Sequence, residues 1–140
     1  MKSKMEYEEL KRDYQKNIDS LHFMVGFNKE WFEELMKLKQ DHGKVYKIWG
    51  SCYADEDNYQ KLCQFSKDFE TYKENKLIEQ DEKFIVGAIK YEMSNNEYVL
   101  TYDTEEVMKS LGFEMKLFND KWFRKVWNKA EKKYLAWCYL

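Results

Sequence analysis

The chain has 140 residues, no proline, 44% hydrophobic and 18% aromatic residues, and a formal net charge of −2 at pH 7. That length fits one domain with a single core, and 5 Trp, 11 Tyr and 9 Phe exclude a disordered chain. With 36% charged residues, and a longest apolar run (Phe84 to Ile89) far below the roughly 20 residues that cross a bilayer, a membrane-embedded protein is excluded as well.

At the amino end, Lys2 and Lys4 are followed by Glu6, Glu8 and Glu9, where a signal peptide needs an apolar stretch. The expected location is therefore the cytoplasm. Tyr7, Leu10, Tyr14, Ile18, Leu21 and Val25 recur at helical spacing and predict a first helix from about Met5 to Met24, broken by Gly26. Asn28 caps a second helix carrying Trp31, Phe32, Leu35, Met36 and Leu38, which stops at Gly43 and forms an antiparallel hairpin with the first. Val45 to Trp49 is β-branched and aromatic and reads as a short strand. Asp55-Glu56-Asp57 opens a third helix with Tyr59, Leu62, Cys63, Phe69 and Tyr72 inward, fading near Asn75.

Asp81 caps a fourth helix through about Ser94 whose Phe84, Ile85, Val86, Ala88, Ile89 and Met93 leave little polar face, so it belongs at the centre of the core. The same apolar run also suits a buried strand. Asn95-Asn96 marks a turn, and Tyr98 to Tyr102 alternates like a second strand able to pair with 45–49. Asp103 caps a short helix, Thr104 to Leu111, ended by Gly112, and Asn119 or Asp120 starts a last helix that runs almost to Leu140. The expected fold is a mainly α, single-domain bundle of five to six helices with a short two-stranded element (45–49, 98–102).

Cys52, Cys63 and Cys138 lack the close spacing of a zinc site and, with only His22 and His42 beside them, read as buried free thiols. A Cys52 nucleophile with His42 as base has no surrounding motif. Phosphate-binding, dinucleotide-binding, serine-hydrolase and zinc-protease motifs are missing, so neither catalytic residues nor a cofactor or metal is expected.

The small net charge hides a segregation: the balance is 0 over residues 1–40, −7 over 41–115 and +5 over 116–140. On the last helix, steps of about 100° per residue place Phe123, Val126, Trp127, Ala130, Tyr134, Trp137 and Cys138 on one half and Lys121, Arg124, Lys125, Lys129 and Lys132 on the other. That basic face is either solvated, turned to an acidic partner, or laid on phosphates. The acidic clusters, Asp55-Glu56-Asp57, Asp81-Glu82 and Asp103 with Glu105 and Glu106, stand at helix starts, where carboxylates cap free N–H groups; exposed together, they would instead imitate a nucleic-acid backbone. Trp49, Tyr53 and Trp122 fall off the clearly buried faces and are candidates for a contact surface.

Basic residues are almost all lysine, with arginine only at 12 and 124, and alanine occurs only at 54, 88, 130 and 136, the bias of an A+T-rich genome. Phe27-Asn28-Lys29-Glu30-Trp31-Phe32-Glu33-Glu34, Lys47-Ile48-Trp49-Gly50, Asp81-Glu82-Lys83-Phe84-Ile85 and, above all, the run Tyr91 to Asp103 (YEMSNNEYVLTYD) followed by Leu111-Gly112 carry a resemblance. In this order the chain resembles a group of small uncharacterised proteins of phages and integrative elements of low-GC Gram-positive bacteria. The resemblance implies an accessory protein that binds and disables a host defence nuclease, as anti-CRISPR and anti-restriction proteins do, with a CRISPR effector as one such target. The alternative is a small nucleic-acid-binding or regulatory protein that uses Lys121, Lys125, Lys129 and Lys132 together with the short helix Thr104 to Leu111, although the overall charge does not favour nucleic acid.

Overall fold

The computed structural model describes residues 6–21, 24–25, 31–47 and 52–139, and it is mainly α-helical. The elements are α1 (Tyr7–Asp19), β1 (Met24–Val25), α2 (Trp31–His42), β2 (Val45–Lys47), β3 (Cys52–Asp55), α3 (Glu56–Ile78), α4 (Glu82–Asn95), α5 (Tyr98–Thr101), α6 (Thr104–Leu111), a 3-10 turn (Met115–Asn119) and α7 (Lys121–Cys138). Two compact units are formed, Asp13–Phe69 in one and Met1–Arg12 with Glu70–Leu140 in the other. No helix among the described residues is long and apolar enough to cross a membrane.

In the Asp13–Phe69 unit the three strands form an antiparallel sheet in the order β1-β3-β2, with Met24 opposite Tyr53 and Tyr46 opposite Ala54. Ile18, Leu21 and Leu62 are buried together, with Tyr14 and Phe65 packed on them. The Tyr14 ring stacks on Phe69 at 4.5 Å, and its hydroxyl meets the Ser66 hydroxyl at 2.9 Å. Gly43 ends α2 with φ 78° and returns its N–H to the Lys39 carbonyl at 2.8 Å, as a glycine just past a helix should.

Three expectations change here. The first helix stops at Asp19, not Met24: the Ser20 hydroxyl bonds the Asn17 carbonyl at 2.6 Å, and Met24–Val25 pair with β3. The partner of β2 is therefore β3, and α2 lies against the strands. The anticipated turn at Gly26, the Asn28 cap and the strand residues Ile48 and Trp49 lie outside the described residues. Thirdly, Cys63 is exposed and Cys138 half-buried. On α3 the covered positions are Asn58, Leu62, Lys73 and Lys76, so the inward stripe runs one residue off Cys63; the Cys52 and His42 side chains lie outside the described residues.

The second unit is built on α4, which is a helix and not a strand. Phe84, Ile85, Val86, Ala88, Ile89, Glu92 and Met93 are all buried. Val107, Met108 and Leu111 of α6 pack with it, as do Phe123, Val126, Trp127, Ala130 and Tyr134 of α7. Aspartates close the helix starts: Asp81 accepts from the Phe84 N–H, Asp103 from that of Glu106, and Asp120 from those of Trp122 and Phe123.

Residues 98–102 form no strand. Tyr98–Thr101 is a single helical turn between Glu97 and Tyr102, both in the left-handed region (φ 51° and 50°). Tyr98 points inward against Trp127 and Tyr134, its hydroxyl donates to Glu131 at 2.6 Å, and the Val99 N–H donates to the Tyr134 hydroxyl at 3.2 Å. A period-two pattern over five residues also contains the helical i, i+4 pair, here Tyr98 and Tyr102 with rings 5.2 Å apart.

Buried Lys73 closes the other end of α6, its ammonium donating to the Leu111 carbonyl at 2.7 Å and to Glu70 at 2.9 Å. Gly112 follows with φ 75°, and a Cβ there would stand 2.7 Å from a Glu70 oxygen. Gly112→Ala therefore combines backbone strain of about 1–2 kcal/mol with a clash on the Glu70–Lys73 pair. Urea denaturation should show a loss of at least that size, whereas Gly43→Ala, with open space around it, should lose only the backbone part.

Candidate functional site

The acidic residues divide by use. Asp55 is buried and accepts from the Asn58 N–H at 2.8 Å, so it caps α3, while Glu56 and Asp57 are exposed. Asp81 caps α4 and takes an ion pair from buried Lys76 at 3.2 Å. Asp103 caps α6, with Glu105 and Glu106 exposed on its first turn. The aspartate in each cluster thus holds a helix start. The residues 55–57 and 103–106 belong to different units.

Lys121, Lys125, Lys129 and Lys132 are exposed along α7 together with Arg124, and Lys129 reaches Glu82 at 3.4 Å. Of the aromatic candidates, Tyr53 is half-buried on β3 and Trp122 half-buried in the first turn of α7. Trp49 lies outside the described residues.

Sequence reasoning missed two arrangements. One is an aromatic edge in the α4-centred unit, where Leu100 is 75%, Tyr102 52% and Tyr139 71% exposed, while Trp137, 66% exposed, stands on another side of α7. The single turn α5 and the end of α7 bring this edge together: Tyr98 on α5 meets Tyr134 on α7, and Tyr102, two residues past Leu100, lies beside Tyr139. The helical wheel predicts Trp137 inward, and the structure leaves it mostly exposed. The available signal was a surplus, since Tyr134 to Leu140 holds more large apolar side chains than one buried stripe uses.

The other is a buried polar group. Glu92 is fully buried on α4, and its carboxylate accepts from the Tyr7 hydroxyl, the Lys11 ammonium at 2.6 Å and the Asn95 amide at 3.2 Å. Lys11 also stands 4.9 Å from the centre of the Tyr91 ring. Burial, and then the hydrogen bond and charge of Glu92, push the Tyr7 hydroxyl far above its ordinary range. Tyr98 is pushed up to about 12 by burial and by Glu131. Enclosed, and with three donors on its oxygens, Glu92 ties α1 to α4 and has the surroundings of a structural carboxylate.

A family model described as a family of unknown function, DUF7659, matches residues 6–133, and the chain belongs to that family. No curated protein and no solved structure matches the chain.

The Glu92 network makes its own predictions. Tyr7→Phe removes a hydrogen bond to a charged group and should cost about 1.5–3 kcal/mol in urea denaturation. Combined with Glu92→Gln, it should cost less than the two single losses together, by a coupling of about 0.5–3 kcal/mol; strict additivity would mean the contact contributes nothing. Folded Tyr7 keeps its proton while unfolded Tyr7 loses it above pH 10, so its contribution is intact below pH 10 and falls as pH rises further. The stability difference between the wild type and Tyr7→Phe should shrink above pH 10.

Proposed function

We propose that this member of the DUF7659 family works by binding another protein through the aromatic edge of Leu100, Tyr102 and Tyr139. In the setting its sequence resembles, the partner is a bacterial defence nuclease complex of the host cytoplasm, disabled by occupation and not by chemistry. One observation carries the reading. Of seven large apolar side chains exposed among the described residues, Leu100 and Tyr102 stand at α5, and Tyr139 lies beside Tyr102 at the end of α7.

Trp and Tyr are the side chains that most often supply binding energy at protein interfaces, because each buries a large rigid area at little entropic cost. A patch of this kind serves recognition better than it serves solubility. Exposed Glu56, Asp57, Glu105 and Glu106 add negative charge that would steer association toward a basic groove. The capping duty of Asp55 and Asp103 weakens full nucleic-acid mimicry as the means of inhibition, since those carboxylates are already engaged.

A second reading rests on the exposed face of α7. Lys121, Arg124, Lys125, Lys129 and Lys132 are exposed along one half of α7, a basic face suited to phosphates. Titration of duplex and single-stranded DNA separates the two. Tight binding that weakens steeply with salt, and is lost in Lys121→Glu/Lys125→Glu/Lys132→Glu, would put this reading first.

The principal test is affinity capture from a host lysate carrying intact defence systems, followed by an activity assay on the nuclease that co-purifies. Leu100→Asp and Tyr139→Asp, both at exposed positions, should leave stability within about 0.5 kcal/mol and abolish capture and inhibition together. Retention of both by the variants would refute the aromatic edge. Unchanged inhibition after charge reversal of Glu56, Asp57, Glu105 and Glu106 would remove electrostatic steering alone.

A further inference from the structure

In the α4-centred unit a trench runs between α4 and α7, with the start of α1 at its side. Its two adjoining hollows, of about 430 and 320 Å³, share Glu6, Gly87 and Lys90. Along α4 the lining residues Lys83, Gly87, Lys90, Tyr91 and Ser94 fall on one i, i+3, i+4 stripe. Along α7 they are Lys129, Lys133, Tyr134 and Trp137. On both helices the lysines come first and the aromatic residues later, so one end of the trench is cationic and the other aromatic.

The charges at the cationic end do not cancel. Each carboxylate in the lining already has a basic partner: Glu6 with Lys83 at 3.4 Å, Glu82 with Lys129 at 3.4 Å, and Glu8 with Arg12 at 3.4 Å. Lys90 and Lys133 have no ion pair among the described residues. At the aromatic end Trp137 is mostly exposed and Tyr91 partly so.

Gly87 is the second observation. It stands inside a helix, where alanine is more favourable, with an ordinary helical backbone that calls for no glycine. A Cβ there would meet only a Glu6 oxygen, at 3.8 Å. Packing does not demand glycine either, and its effect is to keep the floor of the trench open where the two hollows join.

We propose that this trench binds a nucleotide, its base against Trp137 and Tyr91 and its phosphate on Lys90 and Lys133. Aromatic rings stack on any base, and lysines hold phosphate as point charges, so the site selects a phosphorylated aromatic ligand without reading base identity. The volume falls within the range of small-ligand pockets. The same chemistry is presented by a free nucleotide and by one unit of a single strand. This inference does not rest on the protein-partner reading, because Gly87, Lys90, Tyr91, Lys133 and Trp137 lie outside the edge of Leu100, Tyr102 and Tyr139 tested above.

Calorimetric titration of the full chain at low salt would use the four ribonucleoside monophosphates, their parent nucleosides, ribose 5-phosphate and a short single-stranded oligoadenylate. Monophosphates or the oligonucleotide should bind, with nucleoside and ribose 5-phosphate each at least tenfold weaker. Equal affinity per site for mononucleotide and strand identifies a free nucleotide as the ligand; a strand at least tenfold tighter identifies single-stranded nucleic acid. Gly87→Ala should raise the denaturation midpoint while weakening binding, Gly87→Leu should abolish binding, and Lys90→Glu or Lys133→Glu should weaken it at least tenfold. No binding of any phosphorylated probe at millimolar concentration would overturn the proposal, as would binding that survives both Gly87→Leu and Lys90→Glu, or ribose 5-phosphate as tight as the monophosphates.

Discussion

A helix whose apolar residues leave only one narrow polar stripe has to be covered on its other sides, and α4 imposes that condition on the unit around it. Phe84, Ile85, Val86, Ala88, Ile89 and Met93 point in several directions at once, so α4 is covered by α6 and α7 while Tyr7 of α1 lies edge-on to Phe84. The aromatic chain Phe113, Phe123, Phe118 and Trp127 extends this cover outward through edge-to-face contacts between 5.0 and 6.2 Å. Where α4 carries a charge on its buried surface, at Glu92, the structure supplies donors from two helices. Where it carries nothing, at Gly87, the surface opens.

Much of this was legible in the sequence because it is local. Asp81, Asp103 and Asp120 followed by helical periodicity gave the starts of α4, α6 and α7 within a residue or two, and Gly43 and Gly112 marked the ends of α2 and α6. The misreadings share another cause. Pairing of Met24–Val25 with Cys52–Asp55 depends on residues far apart in the chain, and no local spacing announces it. Tyr98 to Tyr102 satisfies the strand period and the helical turn equally, and only Trp127 and Tyr134 decide between them. Buried Lys73 and Lys76 escaped notice because a lysine reads as exposed until a carbonyl or carboxylate is found at the end of its stem.

The candidate surfaces were legible only in part, for a related reason. Composition identified the basic face of α7 and the acidic helix starts, since charge is counted directly. It could not distinguish a carboxylate that caps a helix from one that faces outward, a difference of geometry that separates Asp55 from Glu56 and Asp57. Nor could a helical wheel show that the buried stripe of α7 ends at Tyr134 and leaves Trp137 uncovered.

Tyr102 sits 52% exposed at φ 50°, a backbone angle that glycine and asparagine tolerate and that costs other residues about 1–2 kcal/mol. A glycine or asparagine there would relieve the strain but give up the ring's contact with Tyr98, at 5.2 Å, and its place beside Tyr139. The strained backbone thus holds a ring that bridges α5 and the end of α7. A mutational library scored separately for abundance and for activity would tell whether that ring serves packing alone or recognition as well.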